Sequence, residues 1–153
     1  MTTTQVFTEA ELDYLAGQRL GRLATAAPGG ALQNSPTGFR YNPATGTIDI
    51  YGRALGATKK FRNVRAAGRV AFVVDDLAST DPWRVRGVEI RGTAEAVEDH
   101  DPPAPYLSRE VIRIHPERII SWGVDPEHDG MRGRDVRPRT SGTAQDDRVE
   151  MGT

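Results

Sequence analysis

Hydrophobic and polar positions near the start of the chain follow the pattern of a capped amphipathic helix. Thr8 and Glu11 stand three positions apart, the spacing of a threonine N-cap and its reciprocal glutamate. Phe7 and Leu12 occupy the two positions that pack together across such a helix start. The pattern therefore predicts a short structural helix that begins after Thr8 and ends near Gln18.

From residue 20 the period changes to that of β-strands. The segments 20–27, 31–41 and 47–52 are separated by sequences rich in glycine, proline and asparagine, so we expect an antiparallel meander of three strands. Pro36 has no backbone N–H, which confines it to an edge, a bulge or a bend. The small polar residues around it are Asn34, Ser35 and Thr37. This interruption is either a ligand-facing segment or a plain edge bulge.

The middle of the chain combines a helix with a buried strand. Residues 57–68 place Phe61 and Val64 on one side of a predicted helix of about three turns. The nearly continuous apolar run 69–74 predicts a central strand covered on both faces. The acidic segment 75–83 that follows is predicted to be a solvated surface loop.

The last third of the chain predicts two further strands and a tail. Residues 85–97 alternate between apolar and polar side chains, as a long half-exposed strand does. A final strand with a second apolar patch is expected within 109–124. The end of the chain is rich in glycine and charged residues and contains few apolar residues. We therefore expect one domain over 1–129 and a flexible C-terminal tail over 130–153.

Composition limits the chemistry that the chain can perform. Its 153 residues suit one hydrophobic core, and the absence of cysteine removes disulfides, thiol nucleophiles and thiolate metal sites. The chain has neither a signal-peptide pattern nor a long apolar run, so we expect a cytoplasmic protein with no membrane partner. Any redox chemistry then requires a bound cofactor.

A cluster of basic residues lies between Tyr51 and Val74 and contains no acidic residue. Its six members are Arg53, Lys59, Lys60, Arg62, Arg65 and Arg69. At the predicted helix start, Gly56–Lys60, backbone amides and two ammonium groups would suit a phosphate. A solvated helix face is the alternative, and composition alone does not decide between the two.

Several other functions are disfavoured by missing patterns. His100, His115 and His128 are scattered and lack metal-ligand spacing, so no metal site is expected. No serine stands in a glycine elbow, and neither the P-loop nor the dinucleotide-binding glycine pattern is present. The near-neutral chain and the lack of an aromatic stacking surface next to the basic cluster argue against nucleic acid.

The order of these segments resembles the pyridoxamine 5′-phosphate oxidase-like superfamily of split β-barrel flavoproteins. The string TKKFRNVRAAGRVAFVVDD carries most of the likeness, which runs from Phe7 to about Asp125. The chain is most similar to the actinobacterial branch of deazaflavin (coenzyme F-420) dependent oxidoreductases. The resemblance implies a mainly β fold with short helices, an antiparallel split barrel of six or seven strands, and an obligate homodimer.

The same resemblance implies a cofactor site in a groove between two subunits. The turn into the helix would hold the cofactor phosphate with Thr58, Lys59 and Lys60, supported by Asn63 and with Arg53 nearby. The strand residues that would flank the cofactor ring are Asn34, Ser35, Pro36 and Thr37, with Trp83 or Trp122 closing the site from the partner subunit. Residues 66–68 depart from the charged residue and proline of relatives, which leaves the roles of Arg65 and Arg69 open.

Hydride transfer is the chemistry that the resemblance implies, since the cofactor ring carries the reaction and the protein positions it. The expected activity is reduction of an unsaturated small molecule, such as a quinone or an enone, by reduced coenzyme F-420. The proton would come from solvent or from Tyr41 or Tyr51, although tyrosines at such positions more often pack within the barrel. The alternatives are an FMN-dependent oxidase of the pyridoxamine-phosphate type and a non-catalytic flavin- or deazaflavin-binding module.

Overall fold

The computed structural model describes residues 5–136 as one antiparallel sheet with two short helices. The helices are α1 (Glu9–Ala16) and α2 (Lys59–Ala66), and a 3₁₀ turn (Leu55–Ala57) precedes the second. The strands are β1 (Leu20–Ala26), β2 (Leu32–Gly38), β3 (Arg40–Asn42), β4 (Thr47–Ile50), β5 (Arg69–Thr80), β6 (Trp83–Val97), β7 (Val111–Trp122) and β8 (Met131–Asp135). The predicted mainly β class with short helices is confirmed.

The strand order forces the sheet to curl. Neighbours run β2-β1-β5-β6-β7-β4-β3, and β8 pairs with β7 beside that path. Laid flat, β2 and β3 would stand about 29 Å apart at the usual strand spacing. Phe39 alone joins them, and two Cα steps span at most about 7 Å. The sheet therefore closes on itself as a half-barrel.

The inside of the curl holds the core. Both apolar α2 residues predicted from the sequence, Phe61 and Val64, are buried at 1% and 3% exposure. Phe7 and Leu15 bring α1 into the same cluster. The strand residues of this cluster that are 0% exposed are Ile48, Ile50, Phe72, Val74, Val88, Ile90, Ile112, Ile114 and Ile119. One core therefore spans both helices and the sheet.

The predicted three-stranded meander is wrong. β1 pairs with β2 and β3 pairs with β4, but β4 lies beside β7 and does not touch β2 as a neighbouring strand. The segment 31–41 breaks at Phe39, whose ring packs edge-on against Phe72 at 5.4 Å. Pro36 lies in β2, which within residues 5–136 pairs only with β1, so the edge, one of the three predicted positions, is confirmed.

The segment 75–83 is part of a long hairpin and not a solvated loop. β5 continues to Thr80, and its partner β6 begins at Trp83. Asp76 binds the guanidinium of Arg86 at 2.8 Å and accepts the hydroxyl of Tyr14 at 2.8 Å. Asp76 therefore links the two strands of the hairpin through a cross-strand ion pair, which the local sequence could not show.

Residues 111–136 correct two predictions, the number of strands and the residue at which the tail begins. Residues 111–122 form one strand. Its register with β6 shifts between Arg91 and Gly92, and a side chain in place of the Gly92 hydrogen would collide with the carbonyl oxygen of His115. Met131–Asp135 form an eighth strand, so the structure differs from a tail that begins at residue 130. The remainder of the predicted tail lies outside the described residues.

The helices within residues 5–136 are too short or too polar to cross a lipid bilayer. The two α-helices, α1 and α2, have eight residues each. A bilayer-spanning helix needs about 20.

Candidate functional site

The start of α2 has the geometry of a capped helix with two lysines in its first turn. Thr58 is the N-cap, and its hydroxyl oxygen accepts the amide of Phe61 at 3.3 Å. The same hydroxyl donates to the carbonyl of Leu55 at 2.6 Å. Both hydrogen bonds of the Thr58 hydroxyl are therefore formed within the chain, whereas the backbone amides of Lys59 and Lys60 have no acceptor within the helix.

The positive charge of this helix start is only partly balanced. In the part of the chain that the structure describes, no carboxylate pairs with Lys59 or Lys60. The idea that the basic cluster lacks counter-ions is nevertheless wrong for Arg65, which pairs with Glu98 at 2.6 Å. Arg62 donates to the carbonyl of its own Ala57. Lys59 and Lys60 therefore bring two adjacent uncompensated charges to the beginning of α2, and Arg65 is the one member of the cluster that forms an ion pair within residues 5–136.

Arg53 lies beside an open cavity of about 470 Å³, which we call the Arg53 cavity. Its lining also includes Phe61, Arg65, Glu98 and Glu110. Glu110 accepts the amide of Gly56 at 3.1 Å, and a side chain at Gly56 would collide with this carboxylate. Thr58, Lys59 and Lys60 do not line the cavity, so the structure does not join all the predicted phosphate ligands in one cavity.

Asn63 connects α2 to the sheet through a buried hydrogen bond. Its side-chain amide donates to the hydroxyl of Thr25 in β1 at 3.0 Å, and Asn63 is 4% exposed. Thr25 in turn contacts the Gln33 side chain in β2 at 3.5 Å. This Asn63–Thr25–Gln33 chain brings the basic helix next to the edge strand that carries the other predicted site residues.

The predicted ring-flanking residues of β2 are divided between two faces of the strand. Asn34 and Pro36 are exposed, whereas Ser35 and Thr37 point to the inner face together with Leu23 and Gly21 across the pair. The hydroxyl oxygen of Ser35 is buried and has no hydrogen-bond partner within residues 5–136. A buried polar atom without a partner is uncommon in a folded protein and indicates a place for a missing partner.

The two tryptophans lie far from α2 along the sheet. Trp83 begins β6 at the tip of the β5–β6 hairpin and is 68% exposed. Since β5 runs from Arg69 beside α2 to Thr80 beside Trp83, about 36 Å of strand separate the two ends. Trp122 ends β7, and its ring fills the space beside Gly87. Neither tryptophan contacts the helix start within one chain.

A second polar cavity was not predicted from the sequence, although three of its lining residues, Tyr41, Tyr51 and His100, were named individually. We call it the Tyr51 cavity; it has a volume of about 280 Å³ and is also lined by Arg40, Tyr41, Asp49 and His100. Asp49 is 2% exposed and forms a two-point ion pair with Arg113, the nearest atoms being 3.1 Å apart. The only local signal was Asp49 standing between two apolar residues of a strand.

The histidines of the described residues form no metal site. Within residues 5–136, no three His, Asp or Glu side chains come together in an arrangement that could hold a metal ion. His115 and His128 instead contact Glu95 and Asp125, at 2.5 and 2.8 Å.

A curled antiparallel half-barrel with two short helices, one of them basic at its start, defines a protein of the pyridoxamine-phosphate-oxidase-like fold. The family model described as pyridoxamine 5′-phosphate oxidase matches residues 7–136. The chain therefore belongs to this family.

One relative of known activity is similar over nearly its whole length. It is the 5a,11a-dehydrotetracycline/5a,11a-dehydrooxytetracycline reductase of Streptomyces rimosus, 44% identical over 138 residues, which are 89% of this chain and 97% of the relative. Similarity to a reductase at this level identifies the chain as an oxidoreductase without specifying its cofactor.

Solved structures of the same fold include an F420 reductase and a haem-binding protein from Mycobacterium smegmatis. The F420 reductase has a TM-score of 0.56 and 24% identity, and the match covers 74% of this chain and 98% of that one. The haem-binding protein has a TM-score of 0.63 and 15% identity, with 89% and 60% covered. At these identities the likeness shows the fold alone.

Proposed function

We propose that the protein uses reduced coenzyme F-420 to reduce a carbon–carbon double bond conjugated to a carbonyl group in a small-molecule acceptor. The dehydro substrates in the name of the Streptomyces rimosus relative support an acceptor of this class. FMN is the alternative cofactor. The family, the reductase relative and the basic start of α2 all agree with a phosphate-bearing redox cofactor.

The Asn63–Thr25–Gln33 chain is the observation that carries this proposal. It ties the helix that starts with Lys59 and Lys60 to the edge strand that holds Ser35. A phosphate at the helix start and a ring along the free edge of β2 can therefore belong to one ligand. The buried hydroxyl of Ser35 fits a polar atom of that ring, and unpaired backbone groups along the same edge offer further hydrogen bonds.

The two parts of the site face solvent in a single chain, which supports a homodimer. The Arg53 cavity is open, β2 has a free edge, and Trp83 is exposed at a hairpin tip. We propose that a second copy covers the groove and brings its Trp83 towards the ring. We also propose a cytoplasmic location, where a reduced cofactor is available.

The preference for coenzyme F-420 over FMN rests on surplus positive charge. Both cofactors carry a phosphate, but the deazaflavin also carries an anionic polyglutamyl tail. Arg53 and Arg69 form no ion pair within residues 5–136, so they remain available for such a tail, whereas Arg62 and Arg65 are engaged within the chain. The surplus is smaller than the sequence indicated, and it still exceeds what one phosphate needs.

Bound and reduced, the cofactor would supply a hydride equivalent, and the chain would position it and exclude water. The lysines of α2 would hold the phosphate by charge, and the N-terminal amides of the helix would add their dipole. Ser35 would fix the ring by one hydrogen bond. None of these roles requires a side chain to lose or gain a proton.

Cofactor binding is tested first by titrating the purified protein with coenzyme F-420 and with FMN, following fluorescence. We expect tighter binding of the deazaflavin. Retention of yellow FMN through purification would contradict the cofactor preference. Turnover of an enone panel by the protein with reduced cofactor then separates an enzyme from a binding module, since a module would bind the cofactor and reduce nothing.

The variant Lys60→Ala tests the phosphate site. Loss of one charge-assisted hydrogen bond to phosphate corresponds to about 1.5 to 3 kcal/mol, or roughly ten- to a hundred-fold weaker binding. Arg132→Ala is the matched control, because it removes the same single charge from an exposed position of β8, outside the proposed cofactor site. Equal losses in both variants would show attraction by net charge and no specific site at Lys60.

A further inference from the structure

Tyr51 lies near two cavities whose linings are drawn partly from the same two segments of the chain. It lines the Tyr51 cavity, while Arg53, two residues on, lines the Arg53 cavity. The loop between β6 and β7 borders both, through His100 on one side and Glu98 on the other. The backbone amide of Ser108 in that loop binds the carbonyl of Gly52 at 2.8 Å, between the two lining residues.

The buried Asp49–Arg113 pair fixes the hydrogen-bond role of His100. Both Asp49 oxygens accept from Arg113, and Asn42 and Thr47 donate to the same carboxylate at 3.0 and 2.9 Å. The hydrogen bonds to Asp49 raise the pKa of Arg113 above its ordinary value. Arg113 therefore stays charged and acts only as a donor.

The orientation of the remaining hydrogens follows from this constraint. One guanidinium nitrogen of Arg113 lies 3.3 Å from His100 Nε2, which must accept in this contact. The proton of the neutral imidazole ring then resides on Nδ1, which lies 3.4 Å from the hydroxyl oxygen of Tyr51. Tyr51 accepts from His100, and its own hydroxyl hydrogen is left to point elsewhere.

The surroundings of Tyr51 keep its hydroxyl group protonated. Burial and the charge of Asp49 raise the pKa of Tyr51, and Arg113 and Arg40 oppose that shift without cancelling it. Tyr41, the other tyrosine of the cavity, packs its ring edge-on against Phe7 at 5.5 Å and belongs to the core. Tyr51 is thus the tyrosine of this cavity whose hydroxyl is held by a polar network.

We propose that the Tyr51 cavity binds the oxygen-bearing end of the acceptor, with the Tyr51 hydroxyl donating a hydrogen bond to its carbonyl or enolate oxygen. This inference rests on the proposed function for the identity of the ligand. Hydride addition to an enone moves negative charge onto the carbonyl oxygen, and a fixed donor aimed at that oxygen stabilises it. His100 is a positioning residue, because it acts on the acceptor only through Tyr51.

Charge and size of the cavity define the ligand further. Arg40 adds positive charge to the lining and Asp101 adds negative charge, while Asp49 is neutralised by Arg113. A volume of about 280 Å³ lies at the lower limit for ligand pockets. It suits a planar ring that carries one oxygen, as part of a larger acceptor whose remaining rings extend outside.

The probe for this site is 4-nitrophenol, a planar ring whose phenolate oxygen imitates an enolate and whose visible absorbance reports its ionisation. The protein is titrated without any redox cofactor. We expect Tyr51→Phe to bind the phenolate about ten-fold or more weakly than the wild type. 4-Nitroanisole, which has the same ring and no oxyanion, should bind both proteins equally.

Tyr106→Phe is the matched control, because Tyr106 is 61% exposed on the same loop and does not line the Tyr51 cavity. Its phenolate affinity should equal that of the wild type. Equal phenolate affinity of Tyr51→Phe and wild type, or equal losses in the two variants, would overturn the proposal.

The role of His100 is tested by spectroscopy and by rescue. Nitrogen NMR of the ring should show the proton on Nδ1, and a proton on Nε2 would overturn the proposed orientation. His100→Asn keeps a donor near the Nδ1 position and should retain most of the phenolate affinity, whereas His100→Leu should lose it as Tyr51→Phe does.

These results are independent of the cofactor experiments. Phenolate binding through Tyr51 together with failed deazaflavin binding would disprove the proposed function and keep the oxyanion site. The reverse combination would disprove the oxyanion site and keep the function.

Discussion

The two helices have the same length and the same kind of cap, but opposite charges at their starts. Each has eight residues and follows a threonine whose side chain accepts the amide three positions on. α1 carries Glu9 and Glu11 in its first turn, and α2 carries Lys59 and Lys60. Acidic residues at a helix start favour the helix dipole, whereas basic ones oppose it.

The difference indicates what each helix start binds. Glu11 of α1 is satisfied within the chain by Arg134 of β8, with two contacts at 2.8 Å, and by the amide of Thr8 at 2.9 Å. No such internal partner faces Lys59 or Lys60 in residues 5–136. α1 therefore has its counter-ion built into the fold, while α2 has none within residues 5–136 and, under the proposed function, would receive one from the cofactor phosphate.

Removal of the internal counter-ion should have the largest effect. Arg134→Ala would leave the carboxylate of Glu11, whose side chain is 2% exposed, without its ion pair. Loss of one partner of a buried pair typically costs about 3 to 5 kcal/mol. Urea unfolding followed by circular dichroism measures this change. Arg132→Ala, on an exposed neighbour in the same strand, should change the free energy of unfolding by less than about 0.5 kcal/mol.

Acid should weaken α1 by a smaller amount. Burial acts to raise the pKa of Glu11, but hydrogen bonds from Arg134 and Thr8 outweigh it, so the pKa falls below its ordinary value of 4.5. Because the pKa of Glu11 is lower in the folded than in the unfolded protein, ionised Glu11 stabilises the fold fully at pH values above its ordinary pKa. This stabilisation is lost as the pH falls through the folded pKa. Protonated Glu11 still forms hydrogen bonds, which makes the loss smaller than in Arg134→Ala.

The variant Glu11→Gln isolates this acid effect. Wild type and variant are unfolded in urea at a series of pH values. Their difference in stability should be largest near neutral pH and shrink as the pH drops below about 4.5. A difference that does not change with pH would show that the charge of Glu11 contributes nothing.

Reversal of the charge at the start of α2 should have the smallest effect on stability, and it should be favourable. Lys59→Glu places a carboxylate at the first helical position, which is worth about 0.3 to 1 kcal/mol in the ligand-free protein. The same change should weaken binding of the phosphate-bearing cofactor. Thermal unfolding and cofactor titration measure the two opposite outcomes.

Glu9→Lys at the first position of α1 is the mirror-image control. It should destabilise the ligand-free protein by a similar amount and leave cofactor affinity unchanged. If Lys59→Glu also lowered stability, the lysines would not be destabilising the ligand-free protein by opposing the helix dipole.

Local sequence rules predicted the elements whose contacts are local. The capping box of α1 is present in the structure, and Phe61 and Val64 of α2 face the core as their spacing indicates. The missing donor of Pro36 predicted an edge, a bulge or a bend, and β2 is an edge strand of the described sheet. Such features depend on neighbours within about four residues, so one sequence contains them.

Features that depend on distant partners were not predictable. Arg134 meets Glu11 across 123 positions, and Arg65 meets Glu98 across 33. The network around Tyr51 joins residues from β4, β7 and the loop between β6 and β7. A single sequence shows the charges of these residues but not which of them form pairs. The prediction of a solvated loop over 75–83 was wrong for this reason.

The single residue between β2 and β3 also shapes how the chain reaches its fold. The hairpins β1–β2, β3–β4 and β5–β6 pair residues that are close in sequence, whereas Asp49 pairs with Arg113 in β7 and Arg22 with Val73 in β5. Distant pairings form late, because the intervening chain must first be ordered. Since Phe39 packs its partly buried ring against Phe72 between the two early hairpins, this contact would fix the curl of the sheet. Longer linkers at this position should therefore slow folding more than they lower equilibrium stability.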